Sequence, residues 1–264
     1  MTKRTTSILV AVLVIMLLTS GLLVGCQRGV VIGSGKLDTR EFDFTGFTRV
    51  EVGHAFEVEI VQSDSYRVSI TADDNLFVDH IMVSKAGETL KIGLKPALSY
   101  NFTTLKAQIT MPDLYGLDLS GAVHGTVEGF SSTHDFTLQL SGASSLDMAD
   151  MVTGDIKCDS SGASKVTGDI TADDAEFNES GASNVQLQGS ASNIVIHASG
   201  ASRVNLADLP VNNANVELSG ASLATVNAGG RLDINLSGAS KLSYIGEPTM
   251  GSINISGGST LSKE

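Results

Sequence analysis

The sequence predicts an all-β protein, a single-stranded right-handed parallel β-helix (a β-solenoid) with coils of about 19 residues. Three observations predict this fold. A short motif recurs at nearly constant spacing, columns of apolar and polar residues alternate around it, and the composition favours small residues, with 28 Gly, no Trp and 5% aromatic residues. Together these are typical of chains whose short strands and tight turns stack in successive coils.

The repeat is the first of these observations. Ser-Gly-Ala occurs seven times and Ser-Gly-Gly once, in steps of 18 to 21 residues. The first serines are Ser120, Ser141, Ser161, Ser180, Ser199, Ser219, Ser237 and Ser256. The fourth residue is Ser in every copy except the first, where it is Val123. A unit of this length is too short to close a core alone, so it must stack on its neighbours.

The residues before each motif alternate as the residues of a β-strand do. Three positions before the first serine the residue is always apolar: Leu117, Leu138, Cys158, Phe177, Ile196, Val216, Ile234 and Ile253. Two positions before it the residue is always polar: Asp118, Gln139, Asp159, Asn178, His197, Glu217, Asn235 and Asn254. We expect the first column to line the interior. We expect the second column, called the outward row below, to face solvent.

The motif itself has a structural interpretation and a functional alternative. In the structural interpretation the glycine adopts a backbone conformation that other residues avoid, the alanine fills an inward slot, and the serine hydroxyls hydrogen-bond along the stack. In the alternative, the serines form an array that recognises a ligand such as sugar hydroxyls or ice.

The residues before the repeat alternate as strands do, but without regular spacing, for example over 56–60, 66–70 and 89–92. We assign residues 36–264 to one β-helix, in which 36–115 form irregular first coils and a cap, and 116–264 form the repeat coils. No segment of this domain predicts a convincing helix.

The N-terminus predicts export. Two basic residues precede an apolar run over residues 8–24, and Leu23-Val24-Gly25-Cys26 resembles the lipobox of bacterial lipoproteins. We therefore predict a lipoprotein signal peptide over 1–25, lipidation of Cys26, and a lipidated tether over 26–35. The alternative is an uncleaved anchor, because the apolar run is close to the ~20 residues of a spanning helix. Either way, the domain is expected outside the cytoplasm, anchored to the cell membrane or outer membrane.

Little in the sequence supports catalysis. The five His form no pair at metal-ligand spacing, and Cys158 lies in the inward column, where we expect a buried and unreactive thiol. The acidic residues between Asp169 and Glu179 are typical of a solvated loop edge rather than a calcium site. We predict no enzyme, no cofactor and no metal. A carbohydrate-active β-helix enzyme is the less favoured alternative.

Charge limits the partners. The net charge of −12 disfavours nucleic acid, whose phosphates would be repelled. A ladder of polar side chains suits repeated weak contacts with an extended partner. The outward row is therefore the candidate ligand-facing row, and a second one follows the motifs at Lys165, Asn184, Arg203 and Lys241. The alternative is that both rows only keep the protein soluble.

The sequence also resembles a known family, the putative autotransporter adhesin head domain, or head GIN domain. The resemblance extends from about Lys36 to the C-terminus. It rests on Phe47-Thr48-Arg49-Val50, Val58-Glu59-Ile60-Val61-Gln62, Asp74-Asn75-Leu76, Leu90-Lys91-Ile92, Ile109-Thr110-Met111-Pro112-Asp113-Leu114 and the Leu-Ser-Gly-Ala-Ser repeats. It implies a right-handed β-helix on exported, often lipid-anchored bacterial proteins, with adhesion as the function and no established catalytic residues.

The function predicted from these observations is a lipid-anchored, adhesin-like binding protein of the cell envelope. Its expected ligand is a glycan or an envelope protein, and its attachment to the membrane is through the N-terminal lipid. The alternative is a structural or assembly component of the envelope that binds no ligand.

Overall fold

The computed structural model describes residues 29–96 and 99–264. The predicted signal peptide and Cys26 lie outside these residues. The chain divides into two compact units. The described part of the smaller unit is a two-stranded parallel sheet of β1 (Val30–Ile32) and β8 (Ser99–Asn101). The larger unit comprises Gly33–Lys95 and Phe102–Glu264 and contains the features described below.

The larger unit consists almost entirely of strands. In chain order these are β2 (Leu37–Phe42), β3 (Arg49–Val52), β4 (Glu57–Gln62), β5 (Arg67–Asp73), β6 (Ile81–Ala86), β7 (Thr89–Leu94), β9 (Leu105–Met111), β10 (Gly116–Leu119), β11 (His124–Glu128), β12 (Phe136–Leu140), β13 (Ser145–Val152), β14 (Ile156–Ser160), β15 (Lys165–Glu179), β16 (Asn184–Ala198), β17 (Arg203–Val211), β18 (Asn213–Leu218), β19 (Leu223–Ala228), β20 (Arg231–Leu236), β21 (Lys241–Ile245), β22 (Thr249–Ile255) and β23 (Thr260–Lys263). One four-residue helix, α1 (Leu76–Asp79), precedes β6 and was not expected from the sequence.

The strands of successive coils pair in parallel and form two ladders. The first ladder runs β7, β3, β10, β12, β14, the second halves of β15 and β16, β18, β20 and β22. The second ladder runs β9, β4, β11, β13, the first halves of β15 and β16, β17, β19, β21 and β23. Leu138 pairs with Cys158, and Cys158 pairs with Phe177. The predicted β-solenoid and its coil length are therefore confirmed.

The core lies between the two ladders. Seven of the eight members of the predicted inward column are buried, and the eighth, Ile253 in the last coil, is exposed. The second ladder contributes the opposite wall, with Leu146, Val166, Val185, Val204 and Leu242 all buried. Full burial of an aliphatic side chain of this size contributes roughly 1.5–3 kcal/mol. Stacked apolar columns therefore stabilise every coil against its neighbours.

The motif forms the corner between the two ladders, and its glycine behaves as predicted. Gly200 has a φ of +75°, and a Cβ atom at this position would lie 2.5 Å from the carbonyl oxygen of Gly181 in the preceding coil. The positive φ disfavours an L side chain at this position, and the close contact with the Gly181 carbonyl oxygen excludes one. Glycine is therefore required both for the turn and for the close stacking of successive corners.

The predicted inward position of the alanine is wrong. Ala163 is exposed, whereas the next residue, Ser164, is buried, and the repeats that begin at Ser141, Ser180, Ser199, Ser219 and Ser237 have the same pattern. The reason is the strand alternation, which resumes before β15 begins. Ala163 precedes outward-facing Lys165 by two positions, and Ser164 precedes buried Val166 by two positions.

The fourth-position serines therefore form a ladder inside the protein. The Oγ of Ser164 donates to the carbonyl oxygen of Ser161 at 3.0 Å, and the Oγ of Ser202 donates to that of Ser199 at 2.7 Å. These bonds satisfy hydroxyls that would otherwise be buried without partners. The ladder closes the corner of each coil, and its burial excludes these serines from a ligand-reading array.

Antiparallel strands cover the N-terminal end of both ladders. In the second ladder β5 pairs antiparallel with β9, and β2 pairs antiparallel with β5. In the first ladder β6 pairs antiparallel with β7. The outermost strands contain charged residues, namely Asp38, Arg40 and Glu41 in β2 and Lys85 in β6. Charged side chains on an edge strand oppose pairing with further strands.

Candidate functional site

The outward row is a continuous line of side chains on the first ladder. Each of its eight residues pairs in register with the next, from Asp118 with Gln139 to Asn235 with Asn254. Neighbouring side chains are therefore separated by one strand spacing of about 4.8 Å. Beyond Asp118 the row continues through Glu51 and Lys91, because β3 and β7 precede β10 in the ladder.

Part of the row is held by contacts among its own neighbours. The Nδ2 of Asn178 donates to Asp159 Oδ1 at 2.8 Å and to Glu176 Oε1 at 2.7 Å. Farther along, His197 Nδ1 lies 3.2 Å from Glu217 Oε2. These bonds fix the geometry of the central part of the row.

Other members of the row are free to contact a ligand. Within residues 29–96 and 99–264, the side chains of Gln139, Asn235 and Asn254 are exposed and have no hydrogen-bond partner in the protein. An amide side chain both donates and accepts hydrogen bonds. These three side chains can therefore bind hydroxyl or amide groups of a partner.

The electrostatics of the row differ along its length. Partial burial and the charge of Glu51 raise the pKa of Asp118, and Lys91 opposes this increase. Lys91 also forms an ion pair with Glu51. In the centre, the hydrogen bond from Lys157 and a second from Asn178 lower the pKa of Glu176, so this carboxylate remains charged.

The second row, on the second ladder, is less continuous. Lys165 pairs with Asn184, and Asn184 pairs with Arg203. Leu223 then lies between Arg203 and Lys241. The basic residues are therefore separated by uncharged ones and form no continuous cationic strip.

A groove of about 910 Å³, called the N-terminal groove below, lies on the second ladder. Its polar lining comes mainly from β4, β9 and β11, with Thr71 from β5 and Ser145 from β13. Lys106 Nζ lies 2.7 Å from Glu57 Oε2. The Nε2 of Gln108 donates to Glu59 Oε2 at 3.0 Å. The sequence does not predict this groove, because its residues come from five separate segments of the chain. The alternation in each segment indicates outward residues but not which segments are adjacent.

The acidic segment between Asp169 and Glu179 is used to hold neighbouring coils together. Asp155 Oδ1 accepts a hydrogen bond from the backbone N–H of Asp174 at 3.1 Å, and Asp174 Oδ1 accepts one from Asn193 Nδ2 at 2.8 Å. The side chain of Asn213 extends the series by donating to Asn193 Oδ1 at 2.7 Å. In the described part of the chain no three His, Cys, Asp or Glu side chains are placed to hold a metal ion.

Cys158 and Glu179 are ionisable groups that lie inside the repeat coils and face no binding surface. Cys158 is a free, buried thiol, as predicted, and both burial and the nearby Glu179 raise its pKa. Glu179 is only 2% exposed, and its Oε1 lies 3.8 Å from the Cys158 sulfur. Burial raises the pKa of Glu179 to about 7, and the Ser183 and Ser160 hydroxyls offset part of the increase. Its Oε2 has no hydrogen-bond partner.

Residues 46–248 match the family described as "Putative auto-transporter adhesin, head GIN domain". This family points to the extracellular surface. No curated protein matches the chain. Within the described residues, no helix has the length and apolar character needed to cross a membrane.

Several solved structures have the same fold. A putative lipid binding protein from Parabacteroides distasonis has a TM-score of 0.82 and 20% identity, and the match covers 89% of this chain and 99% of that one. A putative adhesin from Parabacteroides merdae has a TM-score of 0.81 and 16% identity, with 89% and 99% covered. A putative adhesin from P. distasonis has a TM-score of 0.79 and 19% identity, with 89% and 100% covered. These names describe adhesins or lipid-binding proteins rather than enzymes.

Proposed function

Because the chain belongs to the head GIN domain family of putative auto-transporter adhesins, we propose that it is a lipoprotein of the cell envelope that binds an extended glycan and catalyses no reaction. The main support is the outward row, in which hydrogen-bonding side chains repeat at one strand spacing along the whole first ladder. Carboxylates and amides at such positions match the hydroxyls of a sugar chain, which both donate and accept.

Affinity in this arrangement comes from many weak contacts. A single exposed amide contributes little, but a polymer that bridges several coils gains from each additional contact at high effective concentration. The free amides of Gln139, Asn235 and Asn254 are the groups available for this purpose. An envelope protein with repeated polar groups is the runner-up ligand.

The N-terminal groove is a secondary candidate for the same ligand. Its volume lies within the roughly 300–1,000 Å³ of small-molecule sites. Its lining includes the charged side chains of Glu57, Glu59 and Lys106. Such a lining favours a polar ligand and disfavours a lipid acyl chain. An acyl chain would remove these charged side chains from water without offering them a hydrogen bond, which costs free energy.

Binding can be tested with the soluble chain from Gln27 to Glu264 on a glycan array and on cell-wall fragments. In these three solved structures the matching part makes up 99–100% of the chain, so the fold forms without further domains in those proteins. We expect saturable binding. A variant in which Gln139, Asn235 and Asn254 are all alanine should bind at least tenfold more weakly.

Two further variants locate the ligand. Asn184→Ala with Arg203→Ala alters the second row and should bind as the unmodified chain does. Loss of binding in Glu59→Ala with Gln108→Ala, together with unchanged binding of the outward-row variant, would move the ligand to the N-terminal groove. Absence of binding to every glycan and cell-wall fragment would favour the structural component.

The lipid anchor has its own test, independent of the ligand. Cells that express the full chain can be fed an alkyne-labelled palmitate. We expect the label on the full chain and on Cys158→Ser but not on Cys26→Ser. Label on the Cys26→Ser protein would refute lipidation at this position.

A further inference from the structure

One cation on the outer face of the first ladder has no carboxylate partner. Lys91, Lys157 and Arg231, the other Lys and Arg side chains in the strands of this ladder, each form an ion pair. Arg49, in β3, is exposed, and its side chain forms no ion pair or hydrogen bond within the described residues. A guanidinium without a partner is free to bind an anionic group of a ligand.

Gly116 keeps space for this guanidinium. Gly116 pairs with Arg49 and precedes inward-facing Leu117, so it faces outward, yet it is buried. A Cβ atom at Gly116 would lie 2.5 Å from Arg49 Nη1 and 3.1 Å from Arg49 Cζ. Gly116 does not have a positive φ, so its backbone conformation does not require glycine. Glycine weakens a strand and often marks a place where another group approaches closely, which here is the guanidinium.

The guanidinium lies in a pocket at the start of the outward row. The pocket has a volume of about 170 Å³, and its polar lining includes Glu51, Asp118 and Gln139. It is smaller than the roughly 300–1,000 Å³ of sites for drug-sized ligands, so it holds one unit of a polymer rather than several. Lys91 pairs with Glu51. The side chains of Asp118 and Gln139 have no hydrogen-bond partner in the part of the chain that the structure describes.

We propose that this pocket binds the terminal sugar of a glycan through a carboxylate on that sugar, an inference that rests on the proposed glycan binding by the outward row. The Arg49 guanidinium can donate two parallel hydrogen bonds to a carboxylate. Asp118 is two residues beyond Gly116 on β10, about 7 Å along the strand. It can therefore accept hydrogen bonds from hydroxyls on the other side of the same sugar ring.

The charges along the row restrict the acidic sugar to this end. Asp159 and Glu217 follow in the outward row, and the basic side chains farther along the first ladder, Lys157 and Arg231, are already paired. Further carboxylates on the ligand would meet these carboxylates and be repelled. The expected ligand is therefore a neutral glycan chain with one acidic sugar at its end, and not a polyanion.

Calorimetric titration of the soluble chain from Gln27 to Glu264 tests this preference. The probes are neutral oligosaccharides that end in glucuronate or in N-acetylneuraminate, each compared with the same chain after reduction of its carboxyl group to an alcohol. We expect an acidic form to bind roughly tenfold more tightly than its reduced form, because one charge-assisted contact is lost on reduction.

The outcomes separate this inference from the proposed function. Equal binding of the acidic and reduced forms would overturn the inference and leave glycan binding by the row intact. Absence of binding by both forms would also overturn it, and binding of neutral glycans on the array would then decide whether the row binds glycans at all.

Three variants test the role of the guanidinium. Arg49→Gln should bind the acidic and reduced forms equally. Gly116→Ala keeps the charge but displaces the guanidinium, so it should also reduce the preference; the fold should be retained, because the contact is with the end of a flexible side chain. Arg203→Gln removes an exposed arginine of the second ladder and should keep the full preference. Circular dichroism checks that each variant is folded. An undiminished preference in Arg49→Gln would show that another group binds the carboxylate, and the proposal would be wrong.

Discussion

Replacement of Glu179 by glutamine should remove a pH-dependent destabilisation of the folded protein. The Glu179 carboxyl lies in the interior beside Cys158, and burial favours its neutral form over the carboxylate. Glutamine has nearly the same shape and has no ionisable proton. The substitution therefore isolates the effect of charge from that of packing.

The size of the effect follows from the pKa of Glu179, which burial raises from 4.5 to about 7. Because the folded protein holds this proton more tightly than the unfolded chain, the stabilisation is complete below pH 4.5 and is lost as the pH rises to 7. The difference between the two pKa values corresponds to about 3 kcal/mol. Above pH 7 the ionised carboxylate should destabilise the fold by this amount.

Urea unfolding followed by circular dichroism at several pH values between 4 and 8.5 measures this effect. The two proteins should have similar free energies of unfolding near pH 4. Glu179→Gln should be more stable by about 3 kcal/mol at the alkaline end. A pH-independent difference between the two would refute the assignment of a raised pKa to this buried carboxyl.

Glu176→Gln provides the matched control. This carboxylate is on the same strand but is partly exposed, and Lys157 lowers its pKa. Its replacement should destabilise the protein slightly at neutral pH, and the loss should fade as the pH falls. The two substitutions therefore change the free energy of unfolding at neutral pH in opposite directions, which distinguishes the interior carboxyl from the surface carboxylate.

Three further predictions concern the thiol, the corners and the last coils. Cys158 should resist maleimide in the native protein and react only after unfolding in urea; fast labelling of the folded protein would contradict its burial. Gly200→Ala should lower the free energy of unfolding by clearly more than the ~1–2 kcal/mol expected from left-handed backbone strain in Gly87→Ala. Of these two glycines, only Gly200 also contacts the preceding corner, so equal thermal stabilities of the two variants would refute the clash. The Arg231 guanidinium donates two hydrogen bonds to the Asp233 carboxylate, at 2.6 and 2.8 Å, and lowers its pKa to about 2. Arg231→Gln should therefore raise the pKa of Asp233, as measured by carboxyl NMR titration, and an unchanged value would contradict these bonds.

The repeat coils were predictable because two local signals agree. The alternation of apolar and polar residues assigns the inward and outward faces, and the constant spacing sets the register between coils. These two signals are sufficient to place Leu138, Cys158 and Phe177 in one buried column. The incorrect placement of Ala163 came from treating the motif apart from the alternation, which puts Ser164 on the inward side.

The candidate site was predictable only in part. All eight residues of the outward row occur at equivalent positions in the repeat, so the sequence alone places them in one line. Glu51 and Lys91 were missed because no repeat marks their positions. The N-terminal groove was missed for the same reason, since Glu59 and Gln108 are 49 residues apart and become neighbours only when β4 pairs with β9.

The sequence by itself determined the fold class, the coil length and the faces of the repeat strands. Each depends on a pattern within about 20 residues that every neighbouring coil repeats. Only the tertiary structure decided the order of the first strands, the groove between them and the environment of Glu179. Strand pairing between distant, dissimilar segments depends on the packing of the whole domain, and no local pattern specifies which edges meet.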